Sequence, residues 1–254
     1  MYTTVRWTVG AFKTIANLTL INKPSLIAGL FFTSVNTCMK FRPNSERGYI
    51  PHSRLGESNF ESYRSFSFEG YQDPRYDCWG PIRTINDDRA DPGFITRHHE
   101  HVGLDILSYV VTGQVHHKDN LGNELSAQEG QVQWMSCGTG IWHTEGNTSD
   151  APNRYLQIWI QPNQIAPVWE PKYELITRSP GFALLPLQLR NTQLEIRAGV
   201  LEGQHRVDAW SYLLVLEGSC RVDEFELSEG DSLEFTRAAV IEGQGAHCLL
   251  FTLR

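Results

Sequence analysis

The chain has 254 residues and a formal net charge of −7 at pH 7, from 22 basic and 29 acidic side chains. This acidic balance, without a cluster of Lys or Arg, argues against a direct nucleic-acid interface, although contact with DNA through a partner protein stays open. Five cysteines, an odd number with no CxxC spacing, indicate a reducing compartment and a cytoplasmic location. The length fits one large β domain or two smaller ones.

Residues 1–38 differ in composition from the rest of the chain. They contain Arg6, Lys13 and Lys23 but no acidic residue, and their apolar run at 26–35 is too short to cross a bilayer. Three interpretations stay open: a signal or transit peptide, an upstream extension with Met39 as an internal start, or an ordered helix. We treat the segment as an N-terminal extension and predict no membrane span.

From about residue 60 onward the pattern is typical of β-strands. Short runs rich in Val, Ile, Tyr and Trp alternate with Gly, Asn and Asp turn residues, and no long apolar stripe with helical periodicity appears. The clearest predicted strands are residues 106–111, 114–117, 131–135, 155–160, 194–201, 212–216 and 248–253. Residues 119–123 (DNLGN) predict a hairpin turn. Residues 162–180, with four prolines, are the predicted linker between two antiparallel β-barrels.

Two short segments each place two potential metal ligands two residues apart. His99 and His101 form the first pair, and His143 and Glu145 form the second. In a β-strand, residues i and i+2 point to the same face, so each pair can present both side chains to one interior point. Three imidazoles and one carboxylate suit a first-row transition ion such as iron and leave coordination positions open. The pattern therefore predicts an enzyme with a metal centre.

The two halves of the chain resemble each other. Residues 107–113 and 129–131 are echoed by residues 212–218 and 229–231, which indicates an internal duplication. In the second half, the positions that correspond to the four ligands are Gln204, Arg206, Gly243 and Gly245. Since arginine is a permanently cationic donor, the second half is predicted to bind no metal.

These segments resemble the motifs of the cupin superfamily. Gly93, His99-x-His101, Asp105 and Gly113 look like its first motif. Gly130, Gly140-x-x-His143 and Asn147 look like its second motif. Within cupins the chain is most similar to the pirin family, through SFSFEGYQDP at 65–74, INDD at 85–88, MSCGTGIWHTEGN at 135–147 and MKFRP at 39–43. Departures from the family pattern are Glu100, Asp105 and two extra residues before His99.

The resemblance covers about residues 39–254 and is stronger in the first half. It implies an all-β bicupin: two cupin-type antiparallel β-barrels, with a metal-binding domain at 39–165 and a metal-free domain at 166–254. It also implies one divalent metal ion, Fe(II), bound in the first barrel. The ligands implied by the family pattern are His99, His101, His143 and Glu145.

Several pirins resemble quercetin 2,3-dioxygenases, whereas others are transcriptional co-regulators. The resemblance therefore implies a flavonol-like aromatic substrate, O2, and release of carbon monoxide, with Glu145 as the catalytic base. One alternative is a metal- or redox-sensing protein that regulates through a protein partner with little turnover. Another is a cupin enzyme of a different reaction type, such as an isomerase.

Two neighbouring residues compete with the predicted ligands. His98 has the opposite strand parity to His99 and His101, and we do not assign it as a ligand. Asp105 shares their parity, so it is an alternative carboxylate ligand to Glu145. We assign Asp105 instead to the orientation of a ligand histidine.

Four further polar residues receive structural interpretations. His116 and His117 lie on one strand, where one side chain faces inward and the other outward. Asp87 and Asp88 are predicted to end a strand and shape a turn.

Overall fold

Nearly all of the described residues lie in β-strands or in the turns between them. The structure is a computed structural model that describes residues 38–51, 59–163, 169–208 and 210–254. The predicted extension, apart from residue 38, lies outside the described residues. Asn44–Glu46 forms a short 3₁₀ helix. Within the described ranges, no helix has the length and apolar character needed to span a membrane.

The strands divide into two sets along the chain. The first set is β1 Met39–Arg42, β2 Gly48–Ile50, β3 Phe60–Arg64, β4 Ile82–Ala90, β5 His99–His101, β6 Asp105–Thr112, β7 Gln114–Asp119, β8 Glu124–Gln128, β9 Gln131–Ser136, β10 Ile141–Gly146, β11 Asn153–Ile160 and β12 Lys172–Thr177. The second set is β13 Ala183–Leu184, β14 Leu194–Val207, β15 Ser211–Glu217, β16 Ser219–Val222, β17 Phe225–Ser228, β18 Ser232–Phe235 and β19 Ala239–Leu253.

These strands form three antiparallel sheets. A seven-stranded sheet has the order β12-β9-β6-β11-β4-β3-β2, and a four-stranded sheet has the order β5-β10-β7-β8. Together they build the N-terminal barrel. The eight-stranded sheet β1-β18-β15-β19-β14-β13, with the β16–β17 hairpin attached to β19, builds the C-terminal barrel. The predicted all-β bicupin fold is confirmed, as is the hairpin turn between β7 and β8.

All seven predicted strands are present, and the observed strands are longer. Two strands extend well beyond their predicted bounds. The strand predicted to begin at residue 248 begins at Ala239 (β19), and β14, predicted to end at residue 201, continues to Val207. Its residues from Glu202 to Arg206 are mostly exposed, so they carry no apolar alternation from which a strand is recognised. They are nevertheless strand because they pair with β19, after a bulge between Leu201 and Glu202.

An apolar layer lies between the two barrels. On β6, Leu107 and Tyr109 face this layer, whereas Ile106 and Val110 face the interior of the N-terminal barrel. Because both faces are buried, β6 carries apolar residues on both faces, and they do not alternate regularly with polar ones.

β15 has the same arrangement in the second half. Leu214 and Leu216 join the central layer, and Leu213 and Val215 face the interior of the C-terminal barrel. Each such side chain, removed fully from water, contributes roughly 1.5–3 kcal/mol to the hydrophobic driving force. The two barrels are therefore joined by a shared core and not merely by a linker.

Strand pairing crosses the predicted domain division in both directions. β1 from the N-terminal side pairs with β18, with Met39 opposite Phe235. β12 lies after residue 165 yet pairs with β9, with Lys172 opposite Ser136. The prediction of a linker throughout residues 162–180 is wrong for Lys172–Thr177, because this segment completes the seven-stranded sheet. The domain bounds at 165 and 166 stay a prediction.

Asp87 and Asp88 lie inside β4 and are buried, so the prediction that they end a strand is wrong. The Arg154 guanidinium donates two hydrogen bonds to Asp87, from Nε at 2.8 Å and from Nη2 at 2.9 Å, and Arg47 lies 3.3 Å away. Burial opposes ionisation of Asp87, but Arg47 and Arg154 outweigh it and lower the pKa of this carboxyl. Ser62 donates a hydrogen bond to Asp88. Partners distant in sequence therefore permit buried acids in a strand.

Candidate metal centre

The two predicted ligand pairs lie on neighbouring strands of the four-stranded sheet. β5 and β10 are antiparallel neighbours, and His99 lies directly opposite His143. His101 and Glu145 are each two residues from these positions, and in a strand this spacing returns the side chain to the same face. The short β5 is held in place because Ile141 pairs with His101 at its other end.

Three of the four predicted ligands converge on one point. One ligand nitrogen from each of His99, His101 and His143 lies within 4.8 Å of the others, and the described residues contain one such cluster. The Nε2 atoms of His99 and His143 are 3.1 Å apart. His101 is 7 % exposed and its Nε2 has no hydrogen-bond partner. A buried nitrogen without a partner, facing two others, is what a bound cation would satisfy.

The hydrogen bonding of His99 fixes which of its nitrogens faces the cluster. Its Nδ1 lies 2.6 Å from the backbone carbonyl oxygen of Arg97, and only an N–H can satisfy that acceptor. Nδ1 therefore carries the proton, and the lone pair of Nε2 points toward His143. An outer hydrogen bond of this kind is the usual way in which a protein orients a histidine ligand.

Burial keeps all three rings neutral. Removal from water lowers the pKa of His99, lowers that of His101 to about 3, and lowers that of His143 far below its ordinary value. The neighbouring imidazoles lower the pKa of His101 and His143 further. A metal ion at neutral pH therefore does not compete with protons for these nitrogens.

Glu145 is buried beside the histidine cluster, at 1 % exposure. Ser108 Oγ donates to its Oε2 at 3.1 Å, and Gln157 Nε2 donates to its Oε1. Burial, and then the negative charge of Asp88, raise the pKa of Glu145 to about 7. Its carboxylate is not among the atoms that lie within 4.8 Å of one another. Its role as the fourth ligand therefore stays a prediction.

The donor set fits a first-row transition ion. Neutral imidazoles are ligands for Fe, Ni, Cu and Zn, and a nearby carboxylate adds the negative charge that stabilises a divalent ion. Three protein nitrogens on one side leave coordination positions open for a substrate or O2.

The competing residues lie outside the cluster. The His98 ring packs on Trp142, with ring centroids 5.2 Å apart, as its opposite parity predicts. Asp105 is buried and accepts hydrogen bonds from Trp134 Nε1 at 3.2 Å and from the Arg190 backbone N–H at 2.6 Å. Asp105 therefore connects β6 to the segment before β14 by hydrogen bonds. These partners differ from the ligand histidine that the sequence predicts Asp105 to orient.

His117 extends the cluster in a way that its sequence position alone does not show. It faces inward and is fully buried, whereas His116 is partly exposed near Ser126. The His117 ring lies 5.3 Å from that of His143, and its Nε2 is 3.1 Å from Asp119 Oδ2. The prediction of one inward and one outward ring is consistent with this arrangement.

Three further residues near the cluster were not recognised from sequence. Tyr173 stacks on the His117 ring at a centroid distance of 4.3 Å, but it comes from the segment predicted as linker. Trp159 packs edge-on against His101 at 4.8 Å, and Gln157 contacts Glu145. The only sequence signal was the i, i+2 spacing of Gln157 and Trp159 on one strand face.

In the C-terminal barrel, two of the positions that correspond to the predicted ligands carry exposed side chains. The side chain of Arg206 is 68 % exposed and pairs with Asp208 at 2.7 Å. Gln204 is exposed and donates to Glu242. The absence of metal from the C-terminal barrel stays a prediction.

The fold and the histidine cluster define a bicupin with a candidate metal centre in its N-terminal barrel. A family model described as Pirin matches residues 45–160. A pirin-like protein of Caulobacter vibrioides is 39 % identical over 211 residues, covering 75 % of this chain and 91 % of that protein. The chain therefore belongs to the pirin family.

Two Escherichia coli proteins give the most informative functional comparisons. Quercetin 2,3-dioxygenase of strain K12 is 42 % identical over 134 residues, which span 51 % of this chain and 55 % of that protein. The crystal structure of the bacterial pirin YhhW in complex with nickel(II) is similar with a TM-score of 0.77 at 28 % identity, covering 85 % of this chain and 98 % of YhhW.

Proposed function

We propose that this pirin is a metal-dependent dioxygenase of the quercetin 2,3-dioxygenase type, which opens a flavonol-like substrate with O2 and releases carbon monoxide. The observation that carries the proposal is the convergence of three neutral imidazoles beside the buried carboxylate of Glu145. It is supported by a relative named quercetin 2,3-dioxygenase, whose alignment includes about half of each protein.

We propose Fe(II) as the resident ion, held by His99, His101 and His143 with Glu145 as the fourth ligand. Imidazole and carboxylate donors suit iron and also accept nickel, the ion named for YhhW. When bound, the ion supplies Lewis acidity for a substrate hydroxyl oxygen and a template that holds O2 beside the ring.

Glu145 is the proposed general base. Because burial and Asp88 raise its pKa to about 7, its carboxylate is a stronger base than an exposed glutamate, and it is substantially ionised at neutral pH. Ser108 and Gln157 each donate to one of its oxygens, so the carboxylate is held in one orientation. It accepts the proton of the flavonol hydroxyl group as that oxygen becomes an anion.

The surroundings of the histidines suit an aromatic substrate. Trp159 contacts both His101 and Phe68, with ring centroids 4.8 Å apart in each case. Ile95 and Val102, on either side of β5, are exposed apolar residues. Flat rings pack well against such surfaces, and polar groups nearby fix their orientation.

The direct test is O2 uptake and carbon monoxide release by the Fe(II)-loaded protein with quercetin. The wild type should consume O2 only when quercetin is present. The variant Glu145→Gln keeps the shape of the side chain but loses its basicity, so turnover should fall by about 10² to 10⁴-fold. Metal content must be measured on each sample, because loss of metal also abolishes turnover.

Glu100→Gln is the matched control, because Glu100 lies on β5 between the two histidines but belongs to the other face. It should retain wild-type turnover.

If Glu145→Gln with full metal turns over quercetin as fast as the wild type, Glu145 is not the base. If the loaded wild type shows no flavonol-dependent O2 uptake, the dioxygenase proposal is wrong. Metal binding without turnover would favour a metal- or redox-sensing pirin that acts on a protein partner.

The proposal includes a cytoplasmic location. It is supported by the five cysteines, which are all free thiols. A chain that works in an oxidising compartment would more often pair them. Fractionation of cells that express the full chain tests this location.

A further inference from the structure

Glu145 is the end of a line of hydrogen-bonded side chains inside the N-terminal barrel. Trp159 Nε1 donates to Gln157 Oε1 at 3.0 Å, and Gln157 Nε2 donates to Glu145 Oε1. Gln157 and Trp159 are two residues apart on β11, so both side chains belong to the same face of the strand. Both are partly buried, whereas Glu145 is fully buried.

The direction of these hydrogen bonds is fixed by chemistry. An indole N–H is a donor only, so the amide group of Gln157 must turn its oxygen toward Trp159. Its NH2 group must then face Glu145. If the amide were reversed, its oxygen would face a carboxylate oxygen and its NH2 group would face the indole N–H. Trp159 therefore determines that Gln157 presents a donor to Glu145.

Trp159 is itself held by aromatic contacts on two sides. Its ring lies edge-on to Phe68 at 4.8 Å with an interplanar angle of 74°, and edge-on to His101 at 4.8 Å with an angle of 77°. The same indole thus contacts one imidazole of the histidine cluster and, through Gln157, controls the carboxylate. Substitution of Trp159 should therefore affect both an imidazole ligand and the carboxylate ligand of the proposed metal centre.

We propose that Trp159 and Gln157 are positioning residues of the metal centre: Trp159 fixes the amide of Gln157, and Gln157 holds the Glu145 carboxylate in the orientation that the metal requires. This inference rests on the metal centre of the proposed function and goes beyond it by assigning residues that contact no metal. Ser108 holds the other oxygen of Glu145, so loss of Gln157 alone frees the carboxylate to rotate about that remaining bond.

The test uses Co²⁺ as the probe, because its visible absorption bands report ligand geometry without any turnover. Trp159→Phe keeps an aromatic ring against His101 and removes the N–H that orients Gln157. Gln157→Glu places a second carboxylate against Glu145. Co²⁺ affinity should fall by about tenfold in the first variant and further in the second, since loss of an outer partner typically costs 10- to 100-fold. The Co²⁺ absorption bands should shift in both variants.

Trp210→Phe is the matched control. Trp210 Nε1 donates to Glu234 Oε1 at the same distance of 3.0 Å, in the C-terminal barrel. This variant should keep wild-type Co²⁺ affinity and bands, and all samples are compared by thermal midpoint. If Gln157→Glu fails to fold, Gln157→Met removes the donor without adding charge and should weaken Co²⁺ binding similarly to Trp159→Phe.

Wild-type affinity and bands in folded Trp159→Phe and Gln157→Met would overturn the positioning role. A wild-type protein that binds no Co²⁺ would overturn both this inference and the metal centre. Absence of quercetin turnover in a protein that binds Co²⁺ refutes only the proposed function, because these measurements do not depend on that activity.

Discussion

His99 and His143 face each other directly across β5 and β10, with their Nε2 atoms 3.1 Å apart. Both rings are neutral because burial lowers their pKa, and the proton of His99 lies on Nδ1 against Arg97. An approach this close between two ring nitrogens is favourable when a proton or a cation lies between them. The barrel therefore holds these two rings at a spacing that suits a shared cation.

Loss of one imidazole should remove the metal without unfolding the protein. We expect His101→Ala and His143→Ala to weaken metal binding by more than about 100-fold, since even an outer partner is worth 10- to 100-fold. The apolar clusters that stabilise the barrel do not include these rings. Metal analysis and thermal unfolding measure the two effects, with His98→Ala as the control that keeps its metal. Full metal content in His143→Ala would show that the site lies elsewhere.

The chain should bind one metal ion. Gln204 and Arg206 are exposed in the C-terminal barrel, and a permanent cation such as Arg206 does not coordinate a metal. Metal titration of the wild type should give a stoichiometry near one per chain, and His143→Ala should abolish it. A value near two, half of which survives in His143→Ala, would place a second site outside the N-terminal barrel.

Asp87 should stabilise the fold in a pH-dependent way. Its pKa is lower in the folded protein than in the unfolded chain, so the ionised carboxylate stabilises the fold above about pH 4. That contribution is lost as the pH falls through the folded-state pKa. Asp87→Asn should cost about 3–5 kcal/mol at pH 7, because it leaves Arg47 and Arg154 buried with less charge to balance them.

Urea unfolding at pH 7 and at pH 3 measures this effect. The difference between the wild type and Asp87→Asn should shrink at the lower pH, whereas the exposed Asp150→Asn should differ little from the wild type at either pH. A difference that stays constant between the two pH values would mean that packing, and not charge, is what Asp87 supplies.

Gly146 should not tolerate a larger residue, because a Cβ atom there would lie 2.1 Å from the backbone oxygen of Phe94. The displaced segment includes Thr96, whose Oγ1 accepts a hydrogen bond from the Glu145 backbone N–H. Gly146→Ala should therefore cost about 1–3 kcal/mol in stability and also weaken metal binding. A Cβ atom at Gly122 would have nothing within 4 Å, but its φ of +94° disfavours alanine, so Gly122→Ala should lose some stability and still keep wild-type metal affinity. If Gly146→Ala is destabilised but binds metal as the wild type does, the packing of Gly146 against Phe94 does not influence the metal centre.

The sequence predicts the parts of the site that depend on spacing within one strand. The i, i+2 parity of His99 and His101 needs only the local backbone, so it is visible in the chain. Tyr173 and the Arg154–Asp87 pair are not visible, because they depend on which strands become neighbours in a sheet. The sequence alone does not distinguish a buried aspartate in a strand from an exposed aspartate in a turn. The difference depends on whether the fold brings a distant arginine to the carboxylate.

The pairing of β1 with β18 has a consequence for how the protein is made. Residues 39–42 leave the ribosome long before their partner strand at 232–235 is synthesised. A chain that emerges at about 5–20 residues per second holds this strand without its partner for roughly ten seconds or more. Its unpaired edge is open to other chains for that time, so nascent chains of this pirin should depend on chaperones that cover β1 until β18 has emerged.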